Sequence, residues 1–132
     1  MVQNLDKYLL AGIILFIDQF TKTLVKTTTR NYGAAFSIFK GGKALFIVVS
    51  VIVAIICIYY LNQKVRSKYR DLLYFGLSFI LAGSLGNLID RVVFGYVRDF
   101  IDFWVWPSFN IADAFNVIGY VLIVIFFIKK KP

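Results

Sequence analysis

Four long apolar runs, separated by polar segments, dominate the sequence and predict helices that cross a membrane. A helix needs about 20 mostly apolar residues to span a bilayer core. The runs at residues 44–61 and 72–89 carry no charge, the run at 8–25 becomes amphipathic after Asp18, and the run at 110–128 ends before three lysines. We therefore expect residues 1–132 to form a single all-α integral membrane domain, a bundle of four transmembrane helices.

The composition supports a membrane protein and removes several classes of enzyme. Hydrophobic residues make up 60% of the chain, whereas soluble domains contain about 45–50% by a comparable count. The sequence has no histidine and one cysteine, Cys57, which lies inside an apolar run. Serine–histidine and cysteine–histidine catalysis are therefore excluded, as are most zinc sites. We expect no cofactor, and we interpret Cys57 as a packing residue.

The positive charge is distributed in a way that favours membrane lipids over nucleic acid. The formal net charge is +8, but the basic residues lie between apolar runs and not on one continuous face. With four spans, both termini and the loop at 62–71 share a side that holds eight basic residues, against seven on the other side. The dense basic cluster in that loop favours a cytoplasmic location for both termini.

The acidic residues are concentrated at the opposite, non-cytoplasmic end of the predicted bundle. All seven are aspartates, and five fall at that end: Asp18, Asp90, Asp99, Asp102 and Asp113. An ionisable side chain in or beside a membrane span is costly and is a functional candidate by default. This distribution predicts a site at the outer end of the bundle.

Asp18 and Lys22, four residues apart in the first run, share one face of the predicted helix. The simplest interpretation is a structural ion pair that neutralises the end of the helix. A purely structural role is therefore the first explanation for this pair.

In the third run, small and polar residues recur at helical spacing: Gly83, Gly86, Asn87 and Asp90. Small residues let helices approach closely in lipid, so packing explains the two glycines. Asn87 and Asp90 need polar partners, and Arg91 is the nearest candidate partner for Asp90. We expect Asn87, Asp90 and Arg91 to support a site.

The segment between the third and fourth runs, residues 92–108, is rich in aromatic residues, including Trp104 and Trp106. This composition is typical of a membrane interface. Asp99 and Asp102 lie within it, and both would face water if the aromatic side chains sat at the level of the lipid headgroups. Spacing alone does not choose between these two aspartates.

The fourth run opens with Asn110 at the N-cap and Asp113 three residues later, a capping-box pattern that explains Asp113 structurally. However, the loop that carries Asp99 leads directly to this helix, so it can also bring two carboxylates together. Two close carboxylates share a proton near neutral pH. The ionised member can then activate water while the protonated member donates to a scissile carbonyl.

Five segments, in order along the chain, carry a resemblance to a known family. They are DQFTK at 18–22, NYGAAFS at 31–37, GNLIDR at 86–91, VRDF at 97–100 and FNIAD at 109–113. Around four apolar runs, they resemble the signature blocks of lipoprotein signal peptidase (signal peptidase II). The resemblance implies an aspartyl endopeptidase that removes the signal peptide of diacylglyceryl-modified prolipoproteins and cleaves before the lipidated cysteine.

The resemblance also implies roles for individual residues. Asp99 and Asp113 would be the catalytic pair. By analogy with the family, Asp99 and not Asp102 would then be the partner of Asp113. The substrate-binding and site-supporting residues would be Asp18, Lys22, Asn31, Gly33, Asn87, Asp90, Arg91 and Asn110.

The resemblance further implies a multi-pass protein of the bacterial cytoplasmic membrane, with both termini cytoplasmic and the active site at the extracytoplasmic face. Its partners would be lipidated prolipoprotein signal peptides and membrane lipids, with globomycin-like inhibitors in the same cleft. We expect no nucleic-acid partner and a monomeric protein.

The chain departs from the family's pattern in its first outer loop, where only 12 residues separate Asp18 from Asn31. We therefore expect a reduced extracytoplasmic β/loop platform, next to an interfacial segment between helices 3 and 4. Thr27, Thr28 and Thr29 are strand-forming residues, and they predict a short strand or hairpin in this loop.

Two alternatives remain at this stage. A small ion or proton transporter subunit would also place carboxylates in a membrane, but the second run carries none, so a continuous path is hard to draw. A catalytically inactive or repurposed four-helix homologue would use its polar residues only to pack helices, and it would not need Asp99 and Asp113 together.

Overall fold

The computed structural model describes residues 4–26, 28–33 and 42–130, and this part of the chain contains four helices and one small sheet. The helices are α1 (Asn4–Leu24), α2 (Lys43–Leu61), α3 (Arg70–Val93) and α4 (Ile111–Lys130), and the strands are β1 (Thr29–Asn31) and β2 (Val97–Asp99). Each helix begins and ends within four residues of its predicted bounds. The mainly helical fold predicted from the apolar runs is confirmed.

Successive helices run in opposite directions, so the start of α1 meets the end of α2 and the start of α3. The Lys7 ammonium is buried at this end: Nζ donates to the carbonyl oxygen of Leu61 at 3.1 Å and lies 3.4 Å from the centre of the Tyr74 ring. At the opposite end, the backbone N–H of Ala112 in α4 donates to the Asp18 carboxylate in α1 at 2.8 Å. We call this second end the polar end of the bundle.

The central helix is α3, which packs against the other three helices. Glycines let it approach α4 closely. A Cβ placed at Gly76 would lie 2.8 Å from the carbonyl oxygen of Gly119, and one at Gly119 would lie 2.7 Å from that of Gly76. Because neither helix has room for a side chain here, the two backbones are in direct contact.

The outer surfaces of α2 and α4 are apolar. Large side chains point away from the bundle, among them Ile52 and Ile55 of α2 and Val121 and Val124 of α4, each at least half exposed. Within the described residues, three helices are long and apolar enough to cross a membrane: α2, α3 and α4. The four-span prediction is thus supported for these three and stays a prediction for α1.

The two strands form an antiparallel pair in which Thr29 lies opposite Asp99 and Asn31 opposite Val97. The strand predicted from the threonines is present, but β1 begins at Thr29 and ends at Asn31, and Thr27 lies outside the described residues. Within the described residues its partner is β2, in the connection between α3 and α4. The sheet therefore ties the loop between α1 and α2 to the segment that carries Asp99.

The connection from β2 to α4 projects as a narrow loop. Ile101 and Phe109 are bridged to each other at its base, and Trp104 at its tip is 95% exposed with a φ of +64°. The exposed tip (residues 103–106) consists of aromatic residues and one valine, and its position at a membrane interface stays a prediction.

Candidate active site

The two aspartates that spacing left undecided have opposite environments. Asp99, the last residue of β2, is 2% exposed. Asp102 is exposed, and its carboxylate accepts a hydrogen bond from the backbone N–H of Trp104 at 2.8 Å. Asp102 therefore stabilises the loop tip, whereas Asp99 points into the polar end of the bundle.

At the start of α4, the predicted capping box is confirmed. The backbone N–H of Asp113 donates to the Asn110 side-chain oxygen at 2.9 Å, and the backbone N–H of Asn110 donates to the Asp113 carboxylate at 3.1 Å. The side-chain nitrogen of Asn110, Nδ2, donates to Asp99 Oδ1 at 2.8 Å. One fully buried asparagine thus binds both carboxylates.

Asn31 holds the other oxygen of Asp99. Its Nδ2 donates to Asp99 Oδ2 at 3.1 Å, and its own side-chain oxygen accepts the backbone N–H of Gly33 at 2.9 Å. The strand register explains this contact, because Asn31 pairs with Val97, and Asp99 is then its diagonal neighbour on the same face. The loop between α1 and α2 therefore reaches the site.

Asn87 of α3 binds Asp113 through its side-chain amide, as Asn31 binds Asp99. Its Nδ2 donates to Asp113 Oδ1 at 2.8 Å, while its Oδ1 accepts from Asn110 at 3.0 Å and from Lys22 Nζ at 3.2 Å. In the described part of the chain, neither Asp99 nor Asp113 forms an ion pair. We call these two aspartates the amide-bound pair, since neutral amides supply their side-chain donors.

The environment of Asp99 favours its protonated form. Burial removes the water that would solvate a carboxylate, and the charge of Asp113 repels it, so the pKa of Asp99 is raised to about 7. Hydrogen bonds from Asn31 and Asn110 and the charge of Lys22 act in the opposite direction. Burial and repulsion exceed these effects, which suits a pair that shares one proton near neutral pH.

A second pair of carboxylates lies beside the first and is compensated by cations. Lys22 Nζ lies 2.7 Å from Asp18 and 3.5 Å from Asp90, and all three side chains are buried. Arg98 donates from Nη2 to Asp90 at 2.9 Å and from Nε at 3.2 Å. Gln19 bridges the two carboxylates, at 3.1 Å from Asp18 and 3.2 Å from Asp90. We call Asp18 and Asp90 the cation-bound pair.

The prediction that Arg91 pairs with Asp90 is wrong. Arg91 Nη2 donates to the carbonyl oxygen of Gly33 at 3.2 Å, and the ion pairs of Asp90 are with Lys22 and Arg98. The chain turns at Gly95, where φ is +83°, and returns Arg98 to the Asp90 carboxylate. The predicted Asp18–Lys22 ion pair is confirmed.

A cavity of about 560 Å³ opens beside the amide-bound pair. Its polar wall residues are Asn31, Asn87, Arg91, Ser108, Asp113 and Asn116, and the others are mainly apolar. Asp99 is not among the wall residues; Asn31, which is, donates to it and lies in front of it. Within the described residues, no group of three or more acidic or cysteine side chains has metal-binding geometry.

The predicted site residues therefore assemble at the polar end, with two functions among them. Asn31, Gly33, Asn87, Arg91 and Asn110 surround the amide-bound pair and the cavity, and Asp18, Lys22 and Asp90 form the adjacent ionic cluster. Sequence reasoning missed Gln19, Arg98 and Asn116. The spacing of Asn116, three residues after Asp113, was a usable signal, whereas nothing local links Arg98 to Asp90.

Comparisons with known proteins agree with the sequence resemblance. Residues 10–129 match the family described as signal peptidase (SPase) II. A lipoprotein signal peptidase of Halothermothrix orenii is 40% identical, over 94% of this chain and 96% of the relative. That alignment extends over 143 residues, more than the 132 of this chain, so the relative carries residues that this chain lacks. A lipoprotein signal peptidase of Enterococcus faecalis is 36% identical over 94% of this chain and 88% of its own.

Two solved structures share the fold. Both are described as bacterial membrane enzymes. One has a TM-score of 0.83 and 32% identity, and the match covers 95% of this chain and 91% of the other. The second has a TM-score of 0.79 and 33% identity, with 95% and 94% covered. The helical bundle and its small sheet are therefore an arrangement that this chain has in common with experimentally solved membrane enzymes.

Proposed function

The chain belongs to the signal peptidase II family, and from that premise we propose that it removes signal peptides from bacterial prolipoproteins by aspartyl protease chemistry. The observation that carries the proposal is the amide-bound pair: the Asn110 side chain donates to Asp99 and its backbone N–H donates to Asp113, neither carboxylate forms an ion pair within the described residues, and the pair adjoins a cavity. Family membership makes the chain a protease and a multi-pass membrane protein.

The chemistry requires one proton shared by the pair. The ionised carboxylate takes a proton from a water molecule, whose oxygen attacks the scissile carbonyl carbon, while the protonated carboxyl donates its proton to the carbonyl oxygen. The resulting diol then collapses: the C–N bond breaks, the leaving nitrogen receives a proton, and the diol returns one to the pair. Asp99 and Asp113 end as they began, with one proton between them.

Access to both carboxylates calls for a small movement. Asp113 lines the cavity, but Asn31 lies between the cavity and Asp99, to which it donates at 3.1 Å. We propose that the substrate peptide displaces the Asn31 amide. Burial of the pair away from bulk water strengthens the electrostatic contribution of each group.

The substrate we propose is the diacylglyceryl-modified precursor, cleaved before its lipidated cysteine. The cavity opens between helices whose outer surfaces are apolar, and its wall includes Val117 and Ile118 beside the polar group. A lipid-linked peptide has an apolar chain, which suits the apolar part of the wall, and a main-chain amide, which suits the polar part.

We further propose that α1 is the fourth span, with the termini in the cytoplasm and the site at the extracytoplasmic face. The charges of α1 at the polar end are buried against α3, whereas Ile13, Phe16 and Phe20 are about half exposed or more. A helix whose charges face the bundle and whose apolar side chains face outward can cross lipid. The exposed tip at residues 103–106 would lie at the interface.

The test uses purified protein in detergent and a diacylglyceryl-modified precursor peptide. Asp99→Asn and Asp113→Asn should each reduce cleavage by at least about 1,000-fold, because either change removes a carboxyl that the proton transfers require. Asp102→Asn is the matched control and should retain most activity, since Asp102 contacts only the loop tip.

Two results would contradict the proposal. If Asp102→Asn abolishes cleavage while Asp99→Asn does not, the catalytic assignment is wrong. Transport of protons or ions by the wild type, without cleavage of the precursor, would favour a transporter subunit instead.

A further inference from the structure

Asn116 is a polar side chain on the cavity wall that the proposed chemistry does not use. It lies on α4 three residues after Asp113, which places both on the same face of the helix. Because α4 starts at the polar end, Asn116 is one turn further from that end than Asp113, at most about 5.4 Å along the axis. Its neighbours on the wall at this depth, Val117 and Ile118, are apolar.

The Asn116 amide has no hydrogen-bond partner among the described residues. Its side-chain oxygen is buried, and it faces Gly83 of α3, where a Cβ would collide with it and with the carbonyl oxygen of Ala112. Buried amides are nearly always paired, because an unmade hydrogen bond leaves the cost of desolvation uncompensated. Asn116 also lines the cavity, and a half-turn about its terminal side-chain torsion would point this oxygen into it, where a ligand can supply the missing partner.

We infer that Asn116 hydrogen-bonds the main chain of the bound signal peptide, on the signal-peptide side of the scissile bond; this inference rests on the proposed function. A peptide cleaved between two carboxylates must be extended there, so its N–H and C=O groups lack the partners that a helix would give them. Where the wall is apolar, as at Val117 and Ile118, few wall groups can supply those partners. Among the wall residues one turn below Asp113, Asn116 is the polar one.

The geometry also limits which peptide group is contacted. An extended chain advances about 3.3 Å per residue, so one helical turn corresponds to about two residues of substrate. The hydrophobic part of a signal peptide lies deeper in the membrane than the cleavage site. The Asn116 oxygen therefore accepts a hydrogen bond from a main-chain N–H within about two residues before the scissile carbonyl.

The experiment combines a variant with a modified substrate. Asn116→Leu keeps a similar volume and removes the amide. The substrate is the diacylglyceryl-modified precursor peptide and versions in which one main-chain amide before the cleavage site is replaced by an ester. In the wild type, the ester at one position should lower kcat/KM about tenfold, and Asn116→Leu should lower kcat/KM about tenfold on the normal peptide. When Asn116→Leu acts on the ester substrate, the loss in kcat/KM should be no larger than the loss that either change causes alone.

The thermal stability of the Asn116 variants distinguishes a role in substrate binding from a structural role. If Asn116 serves the substrate, Asn116→Leu removes an unpaired amide from the helix interface, and its thermal midpoint in detergent should equal or exceed that of the wild type. Asn116→Ala is the second variant, in case leucine does not fit against Gly83. Asn62→Leu, at the opposite end of the bundle, is the matched control and should cleave like the wild type.

Each alternative outcome is distinct. If the wild type cleaves neither peptide, the proposed function is wrong. If the wild type cleaves but both Asn116 variants match it, or if the variant and ester effects are additive at every position, the inference about Asn116 is wrong. A lowered thermal midpoint with equal losses on all peptides would assign Asn116 a structural role and overturn the inference as well.

Discussion

The polar end of the bundle contains two pairs of carboxylates that differ in what neutralises them. The cation-bound pair, Asp18 and Asp90, is held by Lys22 at 2.7 and 3.5 Å and by Arg98 at 2.9 Å. The amide-bound pair, Asp99 and Asp113, receives its side-chain hydrogen bonds from asparagines. All four aspartates lie at one end of one small bundle.

The difference shows how a protein can assign separate tasks to chemically identical groups. A buried carboxylate with a cationic partner stays ionised, so it can orient other groups but does not exchange protons. Amides solvate a carboxylate without cancelling its charge, so two such carboxylates repel each other and retain a proton. Under the proposed function, the cation-bound pair would organise the site and the amide-bound pair would react.

The largest effect that this comparison predicts is on stability. Asp90→Asn leaves two buried cations, Lys22 and Arg98, without their shared anion, and should lower the free energy of unfolding by about 3–5 kcal/mol. At pH 4, where the raised pKa of Asp99 leaves this carboxyl protonated and uncharged, Asp99→Asn should stay within about 1 kcal/mol of the wild type. Chemical unfolding of both variants in detergent measures the contrast. If both variants lost the same stability, the two pairs would not differ in how their charges are compensated.

A second prediction concerns pH. Since the pKa of Asp99 is about 7 in the folded protein against 3.8 ordinarily, the folded state binds this proton more tightly than the unfolded state does. The resulting stabilisation is complete below pH 3.8 and is lost as the pH rises through 7, by at most about 4 kcal/mol. Unfolding measured between pH 4 and pH 8 should show this loss in the wild type and not in Asp99→Asn.

The same proton controls cleavage. Because the reaction needs one proton on the pair, kcat/KM should fall about tenfold for each pH unit above the pKa of Asp99, near 7. A profile that stays flat to pH 9 would contradict a shared proton in the reactive enzyme.

The smallest predicted effect tests how closely the cation-bound pair is packed. A Cβ at Gly86 would lie 2.5 Å from Asp18 Oδ2, so Gly86→Ala should push this carboxylate from Lys22 and cost about 1–3 kcal/mol. Gly12, on an exposed face of α1, has nothing within 4 Å of its Cβ position, and Gly12→Ala should be neutral or stabilise by up to about 1 kcal/mol. Thermal unfolding of the two variants provides the comparison.

Features with a local origin could be predicted from the sequence. The apolar runs predict the helices, the four-residue spacing predicts the Asp18–Lys22 pair, and the three-residue spacing predicts the capping box of Asn110 and Asp113. In each case the interacting residues lie within one helical turn, so their distance follows from helix geometry alone.

Features that depend on a turn or on strand register could not be predicted in this way. Asp99 and Asp102 have similar local sequences, and only the position of β2 in the sheet buries the first and exposes the second. Arg98 reaches Asp90 because the chain reverses at Gly95, whereas sequence proximity favoured Arg91. The family resemblance favours Asp99 over Asp102 because it draws on residues from the whole chain.

The hydrogen bond from Ala112 to Asp18 joins residues 94 positions apart, and this separation bears on how the protein is made. A ribosome completes α1 long before α4, so the nascent chain in the membrane holds Asp18 and Lys22 with neither Asn110 nor Asp113 beside them. Under the proposed function, a nascent chain that lacks α4 also lacks Asp113 and could not cleave a peptide.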